Sequence, residues 1–237
     1  MARELGLICC AEMVKAFLKD RKTNTRRIEG LKVLNDEPDR WKLWATHYNP
    51  LEYTFEDLHD TLEKRQSEMR GQKIKIIKPR YRVGDEMYIK ETWAMRTDTE
   101  PDTPKAKHYL RYKAGGTDLE MEWHNYERWR SSRFMPKWAA RLWYRVKAVR
   151  DPQRIRDISE EDCIAEGVHA PQCPDCGYTQ LDCRIQLDHR LCGKPEPQSA
   201  RVPFGILWNS LHKKPGARWE DNPWVFPYEL KRIEGPK

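Results

Sequence analysis

Gly84-Asp85-Glu86-Met87-Tyr88-Ile89-Lys90-Glu91-Thr92-Trp93 carries the period that decides the fold. Met87, Ile89 and Glu91 fall on one side of an extended chain, and Tyr88, Lys90 and Thr92 on the other. That is the two-residue repeat of a β-strand, and Gly84-Asp85 is a turn signal in front of it.

Working outward from this strand, the upstream chain begins with a short apolar run, Leu5 to Cys9, suited to a buried strand. The period then changes. Met13/Phe17 and Val14/Leu18 pair at i,i+4 with Lys15 and Lys19 turned outward, which predicts a short amphipathic helix over Ala11 to Lys19. The helix delivers the chain into Asp20-Arg21-Lys22-Thr23-Asn24-Thr25-Arg26-Arg27, a segment expected to be a loop too polar for a core. Residues 34–71, with a stretch rich in helix formers from Phe55 to Met69, are expected to be a helical insertion.

Downstream, Tyr109 to Lys113 is a second strand candidate closed by Gly115-Gly116, and Trp138 to Val149 is a strand or a strand after a helical turn. Ser159 is an N-cap ahead of Glu160-Glu161-Asp162, acids suited to the positive end of a helix dipole. The helix is expected to run to Glu166 and stop at Gly167, a natural residue just past a helix end. Residues 170–200 hold Pro, Gly and four Cys and read as a second insertion; Phe204 to Leu211 is a short helix and Trp224 to Ile233 a closing strand. Many short strands with a few helices predict an α+β fold built on a small β-barrel, one domain over 1–237 with two insertions.

Composition narrows the partners. Only 38% of the 237 residues are hydrophobic and 34% are charged, but ten Trp, ten Tyr and five Phe each bury a large area. The formal charge of +7 is concentrated: residues 73–82 hold five basic side chains and no acid, and residues 128–150 hold eight and no acid, interleaved with Trp129, Trp138, Trp143 and Tyr144. Such blocks point to a polyanionic partner, RNA or DNA, against the alternative of separate solvated strand faces. No segment approaches the roughly 20 apolar residues that span a bilayer. Glu4 and Glu12 interrupt the start, which therefore lacks a signal peptide's apolar core, so a cytoplasmic protein is expected. Seven cysteines without a secretion signal read as thiols or metal ligands.

Five stretches taken in order resemble ASCH-domain proteins of the PUA-like superfamily, in particular the enlarged versions carried by bacteriophages and prophages. They are Met13–Leu18 with Arg21–Arg27; Gly84-Asp85 through Glu91-Thr92-Trp93; Met135-Pro136-Lys137-Trp138-Ala139-Ala140-Arg141; Ile158-Ser159-Glu160-Glu161 through Ala165-Glu166-Gly167; and Phe204 with Leu207-Trp208, then Asn222-Pro223-Trp224. The resemblance implies a PUA-like barrel whose cleft takes RNA or modified bases. Small bacterial members look like amidohydrolases that remove an acetyl group from N4-acetylcytidine. Their catalytic Lys and Thr lie in a loop similar to Lys22-Thr23-Asn24-Thr25, an Arg two positions on falls on Arg27, and their catalytic Glu matches Glu166. This chain departs in carrying Arg26, where small members tend to be apolar, and in its two insertions.

Amide hydrolysis needs an activated nucleophile, a stabilised oxyanion and a proton for the leaving amine. On that reading Thr25 is the nucleophile or orients a water, Lys22 is the candidate base, Glu166 shuttles the proton, and Arg27 clamps an oxyanion or phosphate. The competing reading has Arg21, Lys22, Arg26 and Arg27 simply holding phosphates at the loop, with Thr25 capping a turn and Glu166 a surface or salt-bridging residue at a helix end. Trp93 and Trp138 are candidates for stacking on a base, or else core residues, and Arg141 is a further substrate-binding candidate. A different class of function, a phage structural or host-interaction protein with a non-catalytic cleft, fits the same composition.

Cys173-x2-Cys176 with Cys183 and Cys192 supplies the ligand types of a tetrahedral structural zinc, with His189 able to replace Cys192. The alternative is a loop of reduced thiols. Cys9, Cys10 and Cys163 lie on apolar elements and are expected in the core.

Overall fold

The strand predicted from Met87 and Ile89 forms as β6 (Glu86–Lys90) in the computed structural model, which describes residues 2–46, 52–58, 74–98, 107–115, 128–168 and 199–235. Met87, Ile89 and Glu91 are buried while Glu86, Tyr88 and Lys90 are half-buried, so the alternation in the sequence is the alternation of burial. The protein is mixed α+β, mostly strands with few helices, and divides into two compact units.

The first unit comprises Met1–Lys22, Val83–Lys147 and Leu230–Lys237. Strand β1 (Glu4–Ile8) lies parallel to β6 with Leu7 opposite Ile89, and β9 (Trp143–Val149) lies antiparallel on the other side with Tyr144 opposite Met87. Helix α1 (Ala11–Leu18) buries Val14, Ala16 and Phe17, and the Phe17 ring packs 4.6 Å from that of Tyr144. Asp20, at φ 52°, turns the chain out of the helix in the left-handed conformation that Asp tolerates, and its carboxylate accepts from Arg232 at 2.9 Å. Strands β7 (Trp93–Asp98) and β8 (Lys107–Tyr112) form an antiparallel hairpin. Of the two starts open for the Trp138 strand, the chain takes the second: a 3-10 turn over Lys137–Ala139 precedes β9.

The second unit comprises Thr23–Arg82 and Ala148–Glu229. Its central strand is the part of β11 (Trp224–Ile233) up to Glu229, flanked by β2 (Asn24–Arg27) and by β10 (Gln153–Arg154). Strands β3 (Trp41–Thr46), β4 (Tyr53–Asp57) and β5 (Ile74–Ile77) make a separate antiparallel sheet. Helix α2 (Lys32–Asn35) ends on a buried Asn35, whose side chain donates to the Trp224 carbonyl at 3.1 Å and accepts from the Trp224 N–H at 2.7 Å. Helix α3 (Glu160–Ala165) starts as expected, with Ser159 Oγ accepting the Asp162 N–H at 3.2 Å, and it ends at Gly167 with φ 91°. It packs with α4 (Arg201–Leu211) over Ile155, Ile158, Cys163, Phe204, Trp208 and Val225. Burial pushes the Cys163 thiol up to about 12, with Glu160 adding to the shift.

In the described part of residues 34–71, expected to be a helical insertion, the end of α2 and a 3-10 turn at Pro38–Arg40 are followed by strands β3 and β4, and Leu58 enters a helix. Tyr53, Phe55 and Asp57 are buried and Thr54 and Glu56 are half-buried, a two-residue period that the helix formers following it obscure. Residues 59–69, and all of Cys173, Cys176, Cys183, His189 and Cys192, lie outside the described residues. Among the described residues no helix is long and apolar enough to cross a membrane, and no group of three or more His, Cys, Asp or Glu side chains is placed to hold a metal ion.

Candidate functional site

The segment expected to be a solvated loop is instead one of the most deeply buried polar stretches of the chain. Lys22 is 1% exposed, Asn24 7%, Thr25 1% and Arg26 3%. Arg21 and Arg27 are half-buried, and Thr23 is exposed. The correction has a physical cause: β2 is a sheet strand, and its side chains meet partners that lie far away in sequence.

Lys22 closes the first unit. Its N–H donates to the Ala16 carbonyl at 3.3 Å, and its ammonium sits 5.6 Å from the centre of the Phe17 ring. In the second unit the Thr23 N–H donates to the Ala165 carbonyl at 2.8 Å, which fastens the start of β2 to the end of α3. Thr25 then pairs with Tyr228 and Arg26 with Pro227 across the antiparallel ladder to β11. Pro227 has no N–H to give, and its carbonyl accepts the Arg150 N–H at 3.0 Å.

Docking β2 on α3 brings Arg26 to two carboxylates. Its guanidinium donates to Asp162 Oδ2 at 2.6 Å and to Glu166 Oε1 at 3.2 Å, and its side chain is fully buried. Four residues separate Asp162 from Glu166, so one helical turn presents both on the same face. Asn24 Nδ2 donates to Asp162 Oδ1 at 3.1 Å. Arg150 Nη1 reaches both Asp162 oxygens, at 3.0 and 2.9 Å, while its Nε donates to Glu229 at 2.8 Å. With its amide oxygen turned toward Arg26, Gln153 accepts from the same guanidinium at 3.2 and 3.3 Å. Burial opposes ionisation of Asp162, but Arg26 and then Arg150 outweigh it and hold the carboxyl below its ordinary value.

Arg26 is engaged by carboxylates within the fold, and Glu166, at the end of α3 and 2% exposed, is salt-bridged to it, as the competing reading of the segment also allows. Thr25 and Glu166 belong to the same unit, and Arg26 is the residue that holds Glu166 in place. Asp162, Asn24, Arg150 and Glu229 were not singled out from sequence. The signal for Asp162 was its i,i+4 spacing to Glu166 on a predicted helix; it was read only as one of three acids complementing the dipole.

The two candidate stacking tryptophans part company. Trp93 is 2% exposed and packs on Met135 and Ala139, with the Arg130 guanidinium 5.1 Å over its ring, so it is a core residue. Trp138 meets the Trp93 ring edge-on at 6.0 Å and is 60% exposed. Arg141 makes a bidentate pair with the buried Glu91, at 2.8 and 2.9 Å, and lies 4.2 Å over the Tyr112 ring, so its fork is occupied inside the first unit.

Compared with protein-family models, curated proteins and solved structures, the chain matches none.

Proposed function

We propose that this protein binds nucleic acid or a modified nucleobase on a PUA-like scaffold of the ASCH type, and that it hydrolyses an amide of the N4-acetylcytidine kind. The observation that supports this reading most is the burial of the residue types that amide hydrolysis requires: Lys22, Thr25 and Glu166 are all 2% exposed or less. Residues whose only task was to touch phosphate would stay in water, because burying a charged or hydroxyl group without need costs several kcal/mol, on the order of 2–7 for a neutral polar group.

In the proposed reaction, Thr25 orients a water that attacks the acetyl carbonyl carbon, or attacks it itself, in which case a water afterwards hydrolyses the acetyl ester on Thr25 to free acetate. The C–N bond to the base breaks, Glu166 passes a proton to the leaving nitrogen, and acetate and the unmodified amine are the products. Arg26 is a positioning residue that fixes the Glu166 carboxylate. The resemblance assigns the base to Lys22.

Nucleic-acid binding is tested by retention of labelled RNA and DNA over a salt series. A phosphate binder loses affinity linearly on logarithmic axes, about one unit of slope for each phosphate neutralised. Salt-independent retention, or none, would favour the protein-interaction reading instead.

A further inference from the structure

Residues 128–138 of the first unit form an exposed strap whose anchors face inward and whose aromatics face water. Arg130 makes a two-way backbone bridge with Trp93, accepting at 3.2 Å and donating at 2.7 Å. Lys90 Nζ donates to the Arg133 carbonyl at 2.6 Å. Met135, 1% exposed, plugs the strap into the core, and its sulfur accepts the Glu91 N–H at 3.2 Å. Two 3-10 turns, Ser132–Phe134 and Lys137–Ala139, flank Met135.

What this strap presents is unusual for a solvated surface. Phe134 is 74% exposed, Trp138 60% and Trp129 44%. Between them stand Arg128, Arg130, Arg133 and Lys137, all exposed, and no acid occurs anywhere from 128 to 150. The acids nearby are engaged by particular cations: Glu4 by Lys137, Glu91 by Arg141 and Glu86 by Arg145. Arg130 lies with its guanidinium 5.1 Å over the Trp93 ring, and Arg128 and Arg133 are the exposed cations of the strap's edge.

We propose that this strap is a stacking platform for single-stranded nucleic acid: Phe134 and Trp138 take successive unpaired bases, and the exposed Arg128 and Arg133 track the phosphates. Base stacking on an aromatic ring needs a base free of its duplex partner, while the positive edge needs a polyanion, and a single strand meets both demands. The inference rests on the reading that the protein handles nucleic acid and names the form and the surface. It sets aside Trp93 and Arg141, both engaged within the fold, keeps Trp138 and adds Phe134 and Arg133.

The test uses the full-length protein and fluorescence anisotropy with labelled 12-nucleotide oligo(U), oligo(dT) and a duplex of equal length. The wild type is expected to bind both single strands more tightly than the duplex, with quenching of tryptophan emission. Phe134→Ala and Trp138→Ala are each expected to weaken single-strand binding about five- to one-hundred-fold with little change in its salt slope. Arg133→Ala should lower the slope by about one unit. All three residues are exposed, so unchanged thermal melting serves as the folding control. Wild type that binds single strands with undiminished affinity after Phe134→Ala and Trp138→Ala would overturn the platform alone. Wild type that binds neither single strand nor duplex would overturn the nucleic-acid reading beneath it.

Discussion

Arg26 holds Glu166 through the same guanidinium that holds Asp162, at 3.2 and 2.6 Å, so a single buried side chain on β2 spans one full turn of α3. The pairing is the structural reason a polar segment sits inside the protein. It also makes the fold of the second unit depend on charges that meet across about 140 residues of sequence.

Removing the guanidinium should therefore be costly. Arg26→Ala leaves the Glu166 carboxylate buried without its Arg26 partner, a change expected to lower stability by about 3–5 kcal/mol. Arg26→Lys, a point charge without the planar fork, should recover only part of it. Urea denaturation of the three proteins measures this, and a loss below about 1 kcal/mol for Arg26→Ala would show that the network contributes little.

Acid should reach the same network through Asp162. Its carboxyl is held below its ordinary value in the folded protein, so the unfolded chain binds the proton more readily. The stability it contributes is present above its unfolded pKa, near about 3.9, and disappears as pH falls through the lowered folded value. Asp162→Asn should be less stable than wild type at neutral pH, and its stability should fall less steeply below about pH 4. Equal acid slopes for the two proteins would place the acid sensitivity elsewhere.

These relationships mark where the sequence could be read and where it could not. The Ser159 cap, the Gly167 stop, β6 and the β11 span Trp224–Ile233 were legible because each is written in adjacent residues, as a cap, a turn residue or a two-residue period. Strand β2 was not, because Asn24-Thr25-Arg26-Arg27 has no apolar alternation, and its burial is decided by Asp162 and Glu166 on a distant helix. Strand β4 was hidden by the helix-forming residues behind it. The candidate site residues Lys22, Thr25 and Glu166 are named by type alone, and their burial could not be read from local sequence. The occupation of Trp93 by the core and of Arg141 by Glu91 depends on packing that local sequence does not encode.

The cysteines of residues 173–192 carry a prediction from spacing alone. Protein purified without chelator should contain about one zinc per chain by elemental mass spectrometry, bound by Cys173, Cys176, Cys183 and Cys192 or His189. Cys176→Ser should release it. Metal-free protein with freely titratable thiols at these positions would contradict the assignment.

The most direct measurement is turnover of N4-acetylcytidine, free and within RNA, by the wild type, Thr25→Val and Lys22→Ala. The account predicts release of cytidine and acetate by the wild type. It further predicts a fall on the order of 10²-fold or more for each variant, with nucleic-acid affinity nearly unchanged. No product from the wild type with either substrate would contradict it and leave the Arg26–Asp162–Glu166 network as a purely structural element.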